Sequence, residues 1–162
     1  MYQRILLAYD GSREGLIALR EGALLARRCE AKVFLLSVLP ETGGTRMAEN
    51  VYGGAVAQQV DTYRALLARG VEALRGMGFD PVARLAIGDP SPQIGAFARE
   101  VAADLVVLGH RRRNLISRWW SGDTGAWVTD HVDCSVLVGR NPVSDEAFEA
   151  ELHKARPAGP AA

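Results

Sequence analysis

Short apolar runs alternate with longer amphipathic stretches along this chain. Ile5-Leu6-Leu7-Ala8-Tyr9 ends in Asp10-Gly11-Ser12 and reads as a strand buried on both faces. Ser12 suits the N-cap of a helix. From Arg13 to Cys29, the residues Leu16, Leu19, Ala23 and Ala26 recur at steps of three and four, which predicts that helix with one buried face. Lys32-Val33-Phe34-Leu35-Leu36-Ser37-Val38 is a second strand. Residues 40–54 are rich in Gly, Thr, Asn and Glu without a period, and read as a loop. Val56, Val60, Tyr63, Leu67, Val71 and Leu74 then trace the stripe of a long helix that Gly76 and Gly78 close. Gly70 lies inside it and should weaken it by about 1 kcal/mol relative to alanine.

The alternation continues to the end. VARLAI, after Pro81, is a third strand, and Gly88-Asp89-Pro90 is a turn. Ser91-Pro92 reads as an N-cap with proline at the first helical position, and Ile94, Phe97, Ala98 and Val101 give that helix its buried face. Leu105–Leu108 is a fourth strand, Thr124–His131 a helix, and Cys134–Val138 a fifth strand. The order βαβαβαβαβ predicts an α/β fold, a single five-stranded parallel sheet sandwiched by helices in the Rossmann-like manner. Residues 1–141 would form this domain. Residues 142–162 would form a tail: a short acidic helix within Val143–Lys154, then a disordered Pro/Ala/Gly-rich end.

Composition narrows the function classes. Of 162 residues, 48% are apolar and 23% charged, which suits one globular domain with its own core. The formal net charge is zero, so no general basic field exists for nucleic acid. Among the nineteen basic residues only Lys32 and Lys154 are lysine, an arginine bias that fits genome composition as well as function. Cys29 and Cys134 belong to no CxxC pair, and His131 and His153 have no partners at ligand spacing, so neither a redox motif nor a metal site is indicated. No signal peptide or membrane-spanning run is visible, which makes the cytoplasm the default location.

Candidate chemistry collects where strands end. In open parallel sheets ligands sit outside the carboxyl ends of strands, where strand order reverses. Asp10, Val38, Gly88 and Gly109 all fall at such ends. The stretch after Gly109 is the most unusual: His110, then Arg111, Arg112 and Arg113, then Trp119 and Trp120, then Gly122-Asp123-Thr124 before a helix. Glycines at a strand end and a helix start let a backbone approach a phosphate, and arginines can neutralise it. Solvated arginines and tryptophans that pack the loop explain the same residues without a ligand. Motifs of other enzyme classes are missing: no GxSxG, no Walker A, no cysteine and histidine with a positioned acid.

ILLAYDGS, the GDPSPQI turn and the segment ADLVVLGHRRRNLISRWWSGDTGAWVTDHVDCSVLVGR together resemble the universal stress protein family, over about residues 2–140. The resemblance implies a five-stranded parallel α/β sandwich and a homodimer paired through the last strand, here Ser135–Gly139. It implies a site at Ala8, Asp10, Val38, Leu108, Gly109, Arg111, Arg112, Ser117, Gly122, Asp123 and Thr124. There the acid sits by ribose or metal, the Val38 backbone meets adenine, and Ser117 touches phosphate. Many members bind ATP through Gly-x-x-Gly, nine residues, then Gly-Ser or Gly-Thr. Gly109 and Gly122 match; Arg112 replaces the second glycine and Asp123 the hydroxyl residue. A glycine-poor loop after Gly-His also resembles the subgroup that does not bind ATP.

These departures have physical consequences. Arg112 cannot take a positive φ cheaply. Asp123 can cap the first-turn amides that a phosphate would use. At ~4 Å and an effective dielectric of ~20, a carboxylate opposes a phosphate charge by about 4 kcal/mol. The three arginines, or a magnesium ion bridging Asp123 and phosphate, would offset part of this. Asp10 could instead only order its own turn. Three functions are consistent with these residues: a non-catalytic stress sensor or binding module with a degenerate nucleotide pocket, with no certain cofactor; a switch that binds ATP or another adenine nucleotide, with Mg, and hydrolyses it slowly; or a module whose Arg/Trp loop docks a protein partner. No reading calls for nucleic acid or a membrane.

Overall fold

The apolar runs become strands, and the amphipathic stretches cover them. A computed structural model describes residues 1–40, 54–109 and 128–154, the side chains of 55, 56 and 151–154 excepted. In chain order the elements are β1 (Arg4–Ala8), α1 (Arg13–Cys29), β2 (Lys32–Leu39), α2 (Ala55–Gly76), β3 (Val82–Ile87), α3 (Pro90–Glu100), β4 (Leu105–Gly109), α4 (Val128–His131), β5 (Ser135–Gly139) and α5 (Asp145–Lys154). The five strands form one sheet in the order β3-β2-β1-β4-β5, every pair parallel. Strand order therefore reverses between β1 and β4, which are hydrogen-bonded neighbours.

Two apolar layers flank the sheet, because successive strand residues face opposite sides. Ile5, Leu7, Val33, Leu35, Leu105 and Val107 pack under α1 and α2, with Leu19, Ala23 and Leu74. Leu6, Phe34, Leu36, Val106 and Leu108 pack on the other side with Ile94, Phe97 and Ala98 of α3 and Val128 of α4. The central strands β1 and β4 are buried on both faces, as their unbroken apolar runs require.

Three local expectations are corrected. The buried face of α1 runs through Gly15, Ala18, Leu19, Gly22, Ala23 and Ala26, while Leu16 is exposed. Helix α3 starts at Pro90 with Asp89 as N-cap, not at Ser91-Pro92: Asp89 has extended φ and ψ, and its carboxylate accepts Ser91 N–H at 3.3 Å. Gly70 is no defect in α2. A Cβ there would lie 2.9 Å from both Leu35 Cδ2 and Tyr9 Cδ1, so the glycine lets the helix sit close on β1 and β2, and alanine would clash.

The chain beyond β5 returns to α1. Phe148 of α5 is only 3% exposed, and the Arg20 guanidinium lies 5.2 Å from its ring centroid. Arg20 also pairs with Asp145. Ser144 Oγ accepts Ala147 N–H at 3.2 Å at the start of α5. The residues beyond 154 lie outside those described.

Candidate functional site

The crevice at the carboxyl ends of β1 and β4 is the one that the strand order creates. Its β1 side is a tight turn. After Ala8, Tyr9 N–H still donates to Leu36 O at 2.8 Å. Then Gly11 takes φ 75° and the chain turns into α1. Asp10 Oδ1 accepts both Ser12 N–H at 2.9 Å and Ser12 Oγ–H at 2.5 Å. Ser12 Oγ in turn accepts Gly15 N–H at 2.9 Å, the N-cap expected of it. Asp10 thus braces the cap of α1. This is the turn-ordering role open to it from the sequence, and it leaves the ligand role to be tested.

The β4 side is built by close approach. Gly109 ends β4 and pairs with Gly139. A Cβ on Gly109 would lie 2.8 Å from Glu14 O and from Gly15 N, so only glycine lets this strand end lie against the first turn of α1. On Gly15 a Cβ would lie 2.5 Å from Asp10 Oδ1. The first turn of α1 therefore lies directly against the end of β4 and against the Asp10 carboxylate after β1.

Ala8, Asp10, Val38, Leu108 and Gly109 share this rim. Ala8 is flanked by Leu36 and Leu108 in the sheet. Leu108 buries its side chain in the layer under α3, so only its backbone is offered. Val38 is half-buried and lies one residue past Ser37, where β2 has outrun β1. Gly88, with φ 136°, ends β3 on the same rim and donates to Leu39 O at 3.0 Å, the turn role expected of it. Arg111, Arg112, Ser117, Gly122, Asp123 and Thr124 lie outside the described residues, as do His110, Arg113, Trp119 and Trp120.

Sequence reasoning missed Ser37. It is fully buried and donates to Tyr9 O at 2.7 Å. Its signal was present, a lone hydroxyl within an otherwise apolar strand. Among the described residues no group of three or more His, Cys, Asp or Glu side chains is placed to hold a metal ion. No described helix is long and apolar enough to cross a membrane.

Comparisons with known proteins agree on one family. The model described as "Universal stress protein family" matches residues 1–140. A Staphylococcus haemolyticus protein named as a universal stress protein is 27% identical over 154 residues, covering 93% of this chain and 92% of its own. A Staphylococcus epidermidis protein of the same name is 29% identical with the same coverage. Among solved structures, the universal stress protein from Archaeoglobus fulgidus in complex with dAMP has a TM-score of 0.64 at 21% identity, covering 86% of this chain and 98% of its own. A universal stress protein in complex with cAMP has a TM-score of 0.61 at 21% identity, covering 86% and 97%.

Proposed function

The chain belongs to the universal stress protein family, and from that membership we propose that it is a non-catalytic stress sensor or binding module with a degenerate nucleotide pocket. Adenine nucleotides are the ligand class, in line with the dAMP and cAMP complexes of its fold neighbours. The observation that carries the reading is a pocket kept on one side and altered on the other. The Asp10-Gly11-Ser12 turn after β1, Val38 at the end of β2 and the glycine at 109 that ends β4 are kept. The phosphate side has Arg112 for a glycine and Asp123 for a hydroxyl. Base and ribose keep their place, while a polyphosphate tail gains a like charge at Asp123. The assembly is a cytoplasmic homodimer joined through Ser135–Gly139. In support, β5 is a sheet edge with Val136, Leu137 and Val138 half-buried in one copy.

The test is nucleotide content and affinity. The protein purified without added nucleotide should release none on denaturation. ATP, with or without magnesium, should not saturate it in the micromolar range, and AMP should bind at least as tightly as ATP. Arg112→Gly with Asp123→Ser should restore ATP binding at least tenfold. Co-purified ATP, or micromolar ATP binding with phosphate release, would establish the slow-hydrolysis switch instead. Failure of the double variant would sink the explanation offered for the loss.

A further inference from the structure

The β1–β2 ladder ends one rung early, and a side chain ends it. Ala8 pairs with Leu36, and Tyr9 N–H donates to Leu36 O. In a parallel ladder the next rung runs from Val38 N–H to Tyr9 O. Here Ser37 Oγ donates to Tyr9 O at 2.7 Å instead, and among the described residues no backbone hydrogen bond joins Val38 to Tyr9. The direction of Val38 is set by alternation. Leu36 accepts from β1, whereas Leu39 accepts from Gly88 on the β3 side. Val38 therefore turns both its N–H and its C=O toward β1. By that point β1 has turned away through Asp10 and Gly11. Among the described residues, no hydrogen bond joins β1 to the Val38 N–H and C=O, which lie side by side at the carboxyl rim.

A hydroxyl buried in an apolar strand is unfavourable unless it is bonded. Ser37 is 0% exposed between Leu36 and Val38, and its bond goes to the carbonyl that the next rung would use. We propose that Ser37 is a positioning residue for the ligand crevice: by occupying the Tyr9 carbonyl it keeps the Val38 N–H and C=O open for a base edge that carries one acceptor and one donor, as the N1 and N6 edge of adenine does. This rests on the proposed nucleotide function. Ser37 does not touch the ligand; it acts through Val38.

The experiment compares Ser37→Ala and Ser37→Thr with the parent chain. Alanine releases the Tyr9 carbonyl and lets Val38 N–H close the missing rung, while threonine keeps the hydroxyl. Amide hydrogen exchange followed by NMR without ligand should slow about tenfold at Val38 in Ser37→Ala and stay at the parent rate in Ser37→Thr. AMP should bind about tenfold more weakly to Ser37→Ala and within about twofold of the parent to Ser37→Thr. Ser37→Cys, similar in size and a weak donor, gives the same readouts if the alanine chain does not fold. Equal Val38 exchange in parent and alanine chains overturns the proposal, as does undiminished AMP binding by a folded Ser37→Ala. If the parent binds no AMP, the nucleotide reading fails, and Val38 exchange still decides whether Ser37 holds the ladder open.

Discussion

Strands β1 and β4 are finished at one end and left open at the other. At the amino rim Asp104 accepts Gln3 N–H at 2.6 Å and Arg4 N–H at 3.1 Å, while its own N–H donates to Arg4 O at 3.0 Å. Lys32 N–H reaches Gln3 O, and Ser135 N–H reaches Asp104 O. The Arg4 guanidinium donates to Val101 O and lies 5.0 Å from the Phe34 ring centroid. At the carboxyl rim β1 turns away through Asp10 and Gly11, Ser37 Oγ rather than a backbone amide of β2 bonds the Tyr9 carbonyl, and Gly109 ends β4 without a side chain. The difference teaches that this sheet is stabilised from below and made receptive from above.

Substitutions can break that division. Gly109→Ala should have the largest effect, because its Cβ meets backbone at 2.8 Å that cannot swing aside. A loss of about 3 kcal/mol in urea denaturation is expected, together with loss of AMP binding. Asp104→Ala should cost about 2 kcal/mol by the same measurement, since two strand-start amides lose a charged acceptor. Its AMP affinity should not change; a drop matching that of Gly109→Ala would mean the two rims are not separate. Ser12→Ala removes the cap of α1 and a partner of Asp10, for about 1 kcal/mol by thermal melting.

The smallest effect is chemical. Burial pushes the Cys134 thiol up, with help from Asp104 and Asp133 at the amino rim. A raised folded value means this group favours the native state below its ordinary value of 9.0, and that contribution fades as pH rises through the folded value. Alkylation of Cys134 at pH ~8.5 should therefore be slower in the folded chain than in urea, and Asp104→Ala should speed it. Equal rates in all three samples would mean that the amino rim's charge has no hold on the thiol.

The sheet was legible because its signals are redundant. The apolar runs of β1, β2 and β4 each stop at glycine, proline or a polar turn, and long-range packing agrees with the local pattern. Legibility failed where two local rules competed. Asp89-Pro90 read as part of a turn and Ser91-Pro92 as the cap and first helical residue, yet the helix takes up Pro90 and Asp89 caps it. Gly70 read as a weakness because propensity counts one helix, whereas Tyr9 and Leu35 press on it from the sheet. On the site, the strand-end rule found the rim through Asp10, Val38 and Gly109. It could not find Ser37, whose role depends on which rung of a ladder is missing. The arginine-bearing half of the site stands on sequence alone.

The way α1 lies on the sheet bears on how it can be probed. A Cβ on Gly15 would meet Asp10, one on Gly22 would meet Leu7 and Val107, and one on Gly139 of β5 would meet Ala18, so none of these three glycines has room for a methyl group. Truncating Leu19 tests its packing in the core, but it leaves these three approaches untouched, because they are made where there is no side chain to remove. An alanine scan would pass silently over Ala18, and the informative scan is one that adds bulk. A helix seated in this way specifies its position by what it leaves out.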